Sequence, residues 1–321
     1  MTRRENVLNT IRRRPVKWIP YRYNSIKMLR SKYISVQPQE GGIDDWGVRW
    51  HPARGKDGYS YPDETPALRI DQVGAFGAPD TDWDRVSRDL QEQVASHNRE
   101  DYLLIGYNEL TLFTRAQVLL GTAEFLMATL LEPEKLEILL DSITDYQKLH
   151  TRAVMEVGVA GVRFTDDWGM QTGMFISPEQ WRRFIKPRVR ALYEIVEEYG
   201  GIVFQHSCGH IEEIVPDLIE MGCDVLDPAQ PSANDIYRWK REYGDRLVFM
   251  GGIDTQTFLS FGAPEEVRRE TKKVLAAMGE GGGYIAAPSH TIHIPEPNQQ
   301  AMIEAINSFI GEPEGRITSF H

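Results

Sequence analysis

Short runs of β-branched and aromatic residues recur along the chain, and most are followed by a stretch with apolar residues at helical spacing. The runs lie at 18–22, 102–106, 161–165, 202–205, 224–226, 247–250 and 283–286. Runs this short and continuously apolar are the composition of parallel strands buried on both faces. Between them, Ile211, Ile214, Val215, Leu218 and Ile219 repeat at helical spacing, with Pro216 starting or kinking that helix. Ser177-Pro178-Glu179-Gln180 has the form of a capping box with proline at the first helical position. Seven strands, with an eighth expected within residues 43–72, predict a single (β/α)8 TIM barrel over residues 1–321. A doubly wound open sheet is the alternative. The segment 41–80 breaks the rhythm with Gly, Pro, Asp and aromatic residues, and predicts a hairpin and long loop over one end of the fold.

Composition narrows the classes. A chain of 321 residues, 41% hydrophobic and 26% charged, is long enough for one large core. Its net charge of −11 excludes the basic footprint that nucleic acids or anionic membranes require. No apolar stretch reaches membrane-spanning length, and the basic N-terminus lacks the apolar segment of a signal peptide. Cys208 and Cys223 are the only cysteines, a count that suits a reducing compartment. A cytoplasmic protein is expected.

Barrel active sites lie at the C-terminal ends of the strands. Polar residues there are Asn108 and Glu109, Asp166 and Asp167, His206 and Cys208, Asp227 and Gln230, Asp254, and His290. Any of the acids also suits a helix N-cap. In extended chain His206 and Cys208 point the same way, so they can supply half of a zinc site; taken alone, the pair also reads as a core thiol beside a hydrogen-bonded imidazole. His290 at the end of the last strand completes a nitrogen, sulfur and nitrogen set with an open position. His293 can replace His290, and Asp166 or Asp227 can serve as a fourth ligand.

The segments Gln205-His206-Ser207-Cys208-Gly209-His210, Gly222-Cys223-Asp224-Val225-Leu226-Asp227-Pro228, Phe249-Met250-Gly251-Gly252-Ile253-Asp254 and Gly283-Tyr284-Ile285-Ala286-Ala287-Pro288-Ser289-His290 resemble the uroporphyrinogen decarboxylase superfamily. The resemblance is closest to its methyltransferase-like branch, to which Asp166-Asp167-Trp168-Gly169-Met170-Gln171 is also similar. It implies a (β/α)8 barrel. It further implies zinc held by the His206–Cys208 pair, and methyl transfer between a small methylated donor or thiol acceptor and a corrinoid (cobalamin) on a partner protein. Asp166, Asp167 or Glu109 would then act as acid, and Asn108, Gln171, Gln205, Asp227, Gln230 and Asp254 would bind substrate. The branch's distant cysteine is replaced here by Ser289-His290, which makes His290 the inferred third ligand. The decarboxylase branch is metal-free and carries an arginine-rich element after the first strand, where this chain reads Arg22-Tyr23-Asn24-Ser25. Decarboxylation of a tetrapyrrole or other carboxylated substrate is the alternative activity.

Overall fold

The structure is a computed structural model that describes residues 1–53, 58–290, 292–310 and 316–317. Its strands are β1 (Ile26–Leu29), β2 (Gly42–Ile43), β3 (Arg49–His51), β4 (Tyr61–Pro62), β5 (Leu103–Asn108), β6 (Gly161–Thr165), β7 (Ile202–His206), β8 (Val225–Ala229), β9 (Val248–Ile253) and β10 (Tyr284–Pro288). Seven of them form a parallel sheet in the order β1-β5-β6-β7-β8-β9-β10. The sheet curls into a TIM-barrel fold, and Tyr21 bridges Ala286 of β10 in parallel, with the Ala286 N–H donating to Pro20 O at 2.8 Å.

Six of the predicted strands are present within a few residues of their expected bounds. The first is not. Residues 18–22 contribute only the Tyr21 bridge; a helical turn, Arg22–Ser25, follows, and the paired strand is Ile26–Leu29. Pro20 lacks an N–H, so it cannot donate to a ladder at that point. The eighth strand expected within 43–72 is not part of the barrel either. In that range, of which 54–57 lie outside the described residues, β2, β3 and β4 form a separate antiparallel sheet.

Side-chain alternation sorts the strands into two layers. Ile26, Leu103, Ile105, Ile202, Phe204, Val225, Val248, Met250 and Ile285 form an apolar plug inside the sheet, and Val7 and Ile11 of helix Arg3–Ile11 join it. Their partners one residue away, among them Leu104, Phe164, Val203, Leu226 and Phe249, pack outward against the helices. Fully buried aromatic residues such as Phe204 each stabilise the fold by about 3–5 kcal/mol against truncation to alanine. The predicted capping box is present at helix Pro178–Phe184: Ser177 Oγ accepts from Gln180 N, and Ser177 N donates to Gln180 Oε1, both at 3.2 Å. Among the described residues no helix is long and apolar enough to cross a membrane.

Candidate metal centre and cavity

The plug ends in a polar layer at the C-terminal ends of the strands, under a cavity of about 540 Å³. Arg163 from β6 and Asp227 from β8 form its base, with Arg163 Nη2 2.7 Å and Nε 3.1 Å from the Asp227 carboxylate. Both are nearly buried. Burial alone lowers the pKa of Arg163, but Asp227 reverses this; in turn Arg163 and His206 hold the Asp227 carboxyl well below the usual range against its own desolvation. Removing either partner strands a charge in the barrel, a change that typically costs about 3–5 kcal/mol.

His206 stands on this base. Its Nδ1 lies 3.2 Å from Asp227 Oδ2 and 2.6 Å from Arg163 Nη2. The ring nitrogen either donates to the carboxylate or accepts from the guanidinium, and only the first form leaves Nε2 with a free lone pair. Nε2 faces Cys208 Sγ at 3.4 Å and Asp167 Oδ1 at 3.4 Å. Among the described residues, Asp167, His206 and Cys208 are the only group of three with donor atoms placed for one metal ion, all within 4.8 Å of one another. Burial and Arg163 lower the pKa of His206, while Cys208, Asp227 and Asp167 raise it further, to well above the ordinary value. The Cys208 thiol is pushed up by burial and brought below its usual value by His206 and His290. Desolvation raises Asp167, yet the hydrogen bond and charge of His206 and the Cys208 N–H bring it to about 2.

Two loops hold these groups. Cys208 follows the end of β7, and its N–H donates to Asp167 Oδ1 at 2.9 Å. The loop after β6 crosses the loop after β7 at Gly169 and Gly209, where an added Cβ on either residue would overlap the other loop's backbone. Gly209 also has φ +81°, which favours glycine. His210 N donates to Met170 O at 2.7 Å across the same crossing.

The adjacent carboxylates separate in role. Asp166 turns away from the centre and accepts the N–H groups of Leu112, Phe113 and Thr114 at 3.0 Å, capping helix Phe113–Leu120. Burial raises its carboxyl to about 6 while those three donors oppose the shift. His290 lines the cavity and reaches the Cys208 thiol as a hydrogen-bond partner. His293 is exposed and does not line the cavity. Glu109 lines the rim, paired with Arg30.

Of the residues expected to bind substrate, Asp227 lines the cavity and the other five do not. Asn108 is buried, one residue out of phase with the inward-facing Tyr107. Gln205 accepts from Tyr193 Oη at 2.5 Å in the sheet–helix layer. Gln171 donates to Ser232 O at 2.6 Å, Gln230 accepts from Gly209 N at 2.9 Å, and Asp254 accepts from Ser232, Gln256 and Thr257. These are loop-fixing bonds. Arg163 was missed by the sequence reading, and its signal is a lone guanidinium inside the apolar run Gly161-Val162-Arg163-Phe164-Thr165. Arg22, Tyr23, Trp50, Tyr59 and Tyr61 also line the cavity, the last three supplied by the antiparallel sheet and its loop. That sheet is fixed from below by Asp44, which accepts from Trp46 N, Val48 N, Trp50 Nε1 and Arg115 Nη1; the Asp44–Arg115 pair is buried at 2.8 Å.

Comparison with known proteins follows the same division. The sequence model of the family described as Uroporphyrinogen decarboxylase (URO-D) matches residues 110–309. The uroporphyrinogen decarboxylase of Pseudoalteromonas atlantica is 26% identical over 186 residues, 56% of this chain and 49% of that protein. That of Chloroherpeton thalassium is 29% identical over 181 residues, 54% of this chain and 46% of that protein. The chain thus spans about half the length of these relatives. Among solved structures, a methyltransferase from Methanosarcina mazei superposes with a TM-score of 0.73 over 96% of this chain and 99% of that one, at 16% identity, a likeness of fold. The chain belongs to the uroporphyrinogen decarboxylase family of enzymes.

Proposed function

We propose that the protein is a zinc-dependent methyltransferase moving a methyl group between a small methylated substrate or thiol and a corrinoid carried by a partner protein. The observation that carries this reading is the convergence of Asp167, His206 and Cys208 at the base of the cavity. Two of their three separations match those the ion needs, and the third is within 4.8 Å. A tetrahedron with bonds of about 2.3 Å to sulfur and about 2.0–2.1 Å to nitrogen and oxygen has S–N and N–O edges of about 3.5 and 3.3 Å. The separations here are 3.4 and 3.4 Å. Three protein donors leave the fourth position open, as in catalytic sites. Zinc bound there stabilises the heteroatom that parts from the methyl group, or lowers the pKa of an acceptor thiol.

The chain's own residues prepare that centre. Asp227 accepts a hydrogen bond from the Nδ1–H of His206, which leaves Nε2 to face the donor set. Arg163 keeps Asp227 ionised, and the Cys208 N–H fixes the Asp167 carboxylate. His290, beside the thiol but outside the converging set, is placed to bond the substrate heteroatom or its proton.

Metal analysis of the purified protein tests the reading. The expected result is near-stoichiometric zinc, lost in Cys208→Ser and Asp167→Asn and kept in His290→Ala. Protein without zinc that also fails to take it up from solution ends the proposal. Metal-free decarboxylation is the second reading, favoured by the names of the curated relatives and by Arg22, a cation at the cavity suited to a carboxylate. Turnover of a porphyrinogen in the presence of a chelator would establish it.

A further inference from the structure

The cavity's base is charged, but its walls are aromatic. Tyr23 and Tyr107 come from the barrel side, and Trp50, Tyr59 and Tyr61 from the separate antiparallel sheet and its loop. Aromatic side chains gain more from a flat ring than from a saturated body of equal area, through edge and offset-stacked contacts. The charges around the cavity are nearly all matched. Glu109 pairs with Arg30, Asp227 with Arg163, and Asp167 with His206, while three backbone N–H groups occupy Asp166. Arg22 is the exception: among the described residues it forms no ion pair, and its guanidinium lies over the Tyr23 ring, 4.4 Å from the centroid. The turn Arg22–Ser25, which interrupts the first barrel strand, brings both side chains to the cavity.

We infer that the cavity takes a one-ring aromatic compound carrying a single anionic substituent, its ring held by the Tyr and Trp side chains and its anion by Arg22. A volume of about 540 Å³ suits such a ligand, and one unmatched guanidinium cannot balance a polycarboxylate tetrapyrrole. All six residues precede residue 110 and so lie outside the segment that the family shares. The inference rests on the methyl-transfer reading for the reacting bond, which makes the ligand a methoxybenzoate-like aryl methyl ether. There the aryl O–CH3 bond breaks, its electron pair stays on oxygen as a phenolate, and the methyl group joins the Co(I) lone pair of the partner's corrinoid.

Titration calorimetry on the full chain tests it, using the methoxybenzoate isomers, anisole and the saturated methoxycyclohexanecarboxylates, each with zinc and with a chelator. At least one isomer is expected to bind about tenfold or more tightly than both anisole and the saturated acids. Arg22→Gln should abolish the preference over anisole and keep that over the saturated acids, with Arg22→Lys intermediate; Tyr61→Leu should do the reverse. Wild-type protein that binds no isomer better than both comparators overturns the inference, as does an Arg22→Gln protein, with an unchanged melting curve, that keeps the preference over anisole. Ring and carboxylate selectivity in protein that holds no zinc removes the metal reading alone. Zinc-loaded protein without that selectivity removes this inference alone.

Discussion

Residues 110–309 and the residues before them contribute different things to one cavity. The first segment, matched by the family, holds Arg163, Asp167, His206, Cys208, Asp227 and His290 on or just beyond paired strands. The second holds Arg22, Tyr23, Trp50, Tyr59 and Tyr61 on a turn and a small antiparallel sheet, with Tyr107 on β5. Donor atoms that must meet within a few tenths of an ångström need a rigid ladder under them, whereas a wall that selects a ligand by shape can sit on a loop. The base of this cavity therefore holds the candidate chemistry and its rim the candidate selectivity. Contacts that join the regions include the buried Asp44–Arg115 pair and the ring of Trp83 stacked on buried His150, with centroids 5.8 Å apart.

Breaking the first contact should have the largest effect. Arg115→Leu leaves Asp44 buried without its cation, and a loss of about 3–5 kcal/mol in urea unfolding is expected. The fluorescence of Trp46 and Trp50 should move to that of more exposed indoles. Stability within experimental error of wild type would mean that the antiparallel sheet is held some other way.

His150 sharpens the other contact through pH. Burial lowers its pKa from 6.5 to about 4, so the folded state keeps it neutral while the unfolded state protonates first. Its contribution is fully present above about pH 6.5 and is lost as pH falls toward 4, by about 3 kcal/mol. The difference in unfolding free energy between wild type and His150→Leu should change by roughly this amount between pH 7.5 and pH 4. Parallel pH profiles would refute it.

Within the shared segment, Asp227→Asn should weaken zinc binding about 10–100-fold, because a neutral amide holds the Nδ1–H of His206 less strongly than a carboxylate does. Competition with a chromophoric chelator measures this, and equal affinity would remove Asp227 from the metal's support. The smallest effect is expected in the other region. Tyr61→Leu should leave zinc affinity within about twofold and stability within about 0.5 kcal/mol of wild type, since the residue is 37% exposed and supplies no donor to the metal group. A large loss of zinc would show that rim and base are not separable.

The sequence made the strand run from β5 to β10 legible because each strand is a short apolar run bounded by turns, with no competing pattern. The barrel seam was not, because Trp18-Ile19-Pro20-Tyr21-Arg22 has strand composition but a proline where a donor is needed. At the site, parity was the limit. Asn108 and Gln205 stand at strand ends and look like rim residues, yet a period of two sends them outward while Tyr107 and His206 point in. The same period that lets His206 and Cys208 share a side excludes Gln205 from it. Arg163 was readable in principle, as a charge placed on the inward phase of an apolar strand.

By itself the sequence determined the parallel barrel and the placing of a histidine and a cysteine at the end of one strand, because both follow from local periodicity and strand order. Only the tertiary structure decided which groups stand beside them. Asp166 and Asp167 are chemically equivalent neighbours. The helix Phe113–Leu120 claims one with its unpaired N–H groups, and the Gly169–Gly209 crossing turns the other toward His206. Such a choice depends on how two loops and a helix end pack against each other, contacts between residues 53 and 41 positions apart, on which local pattern is silent.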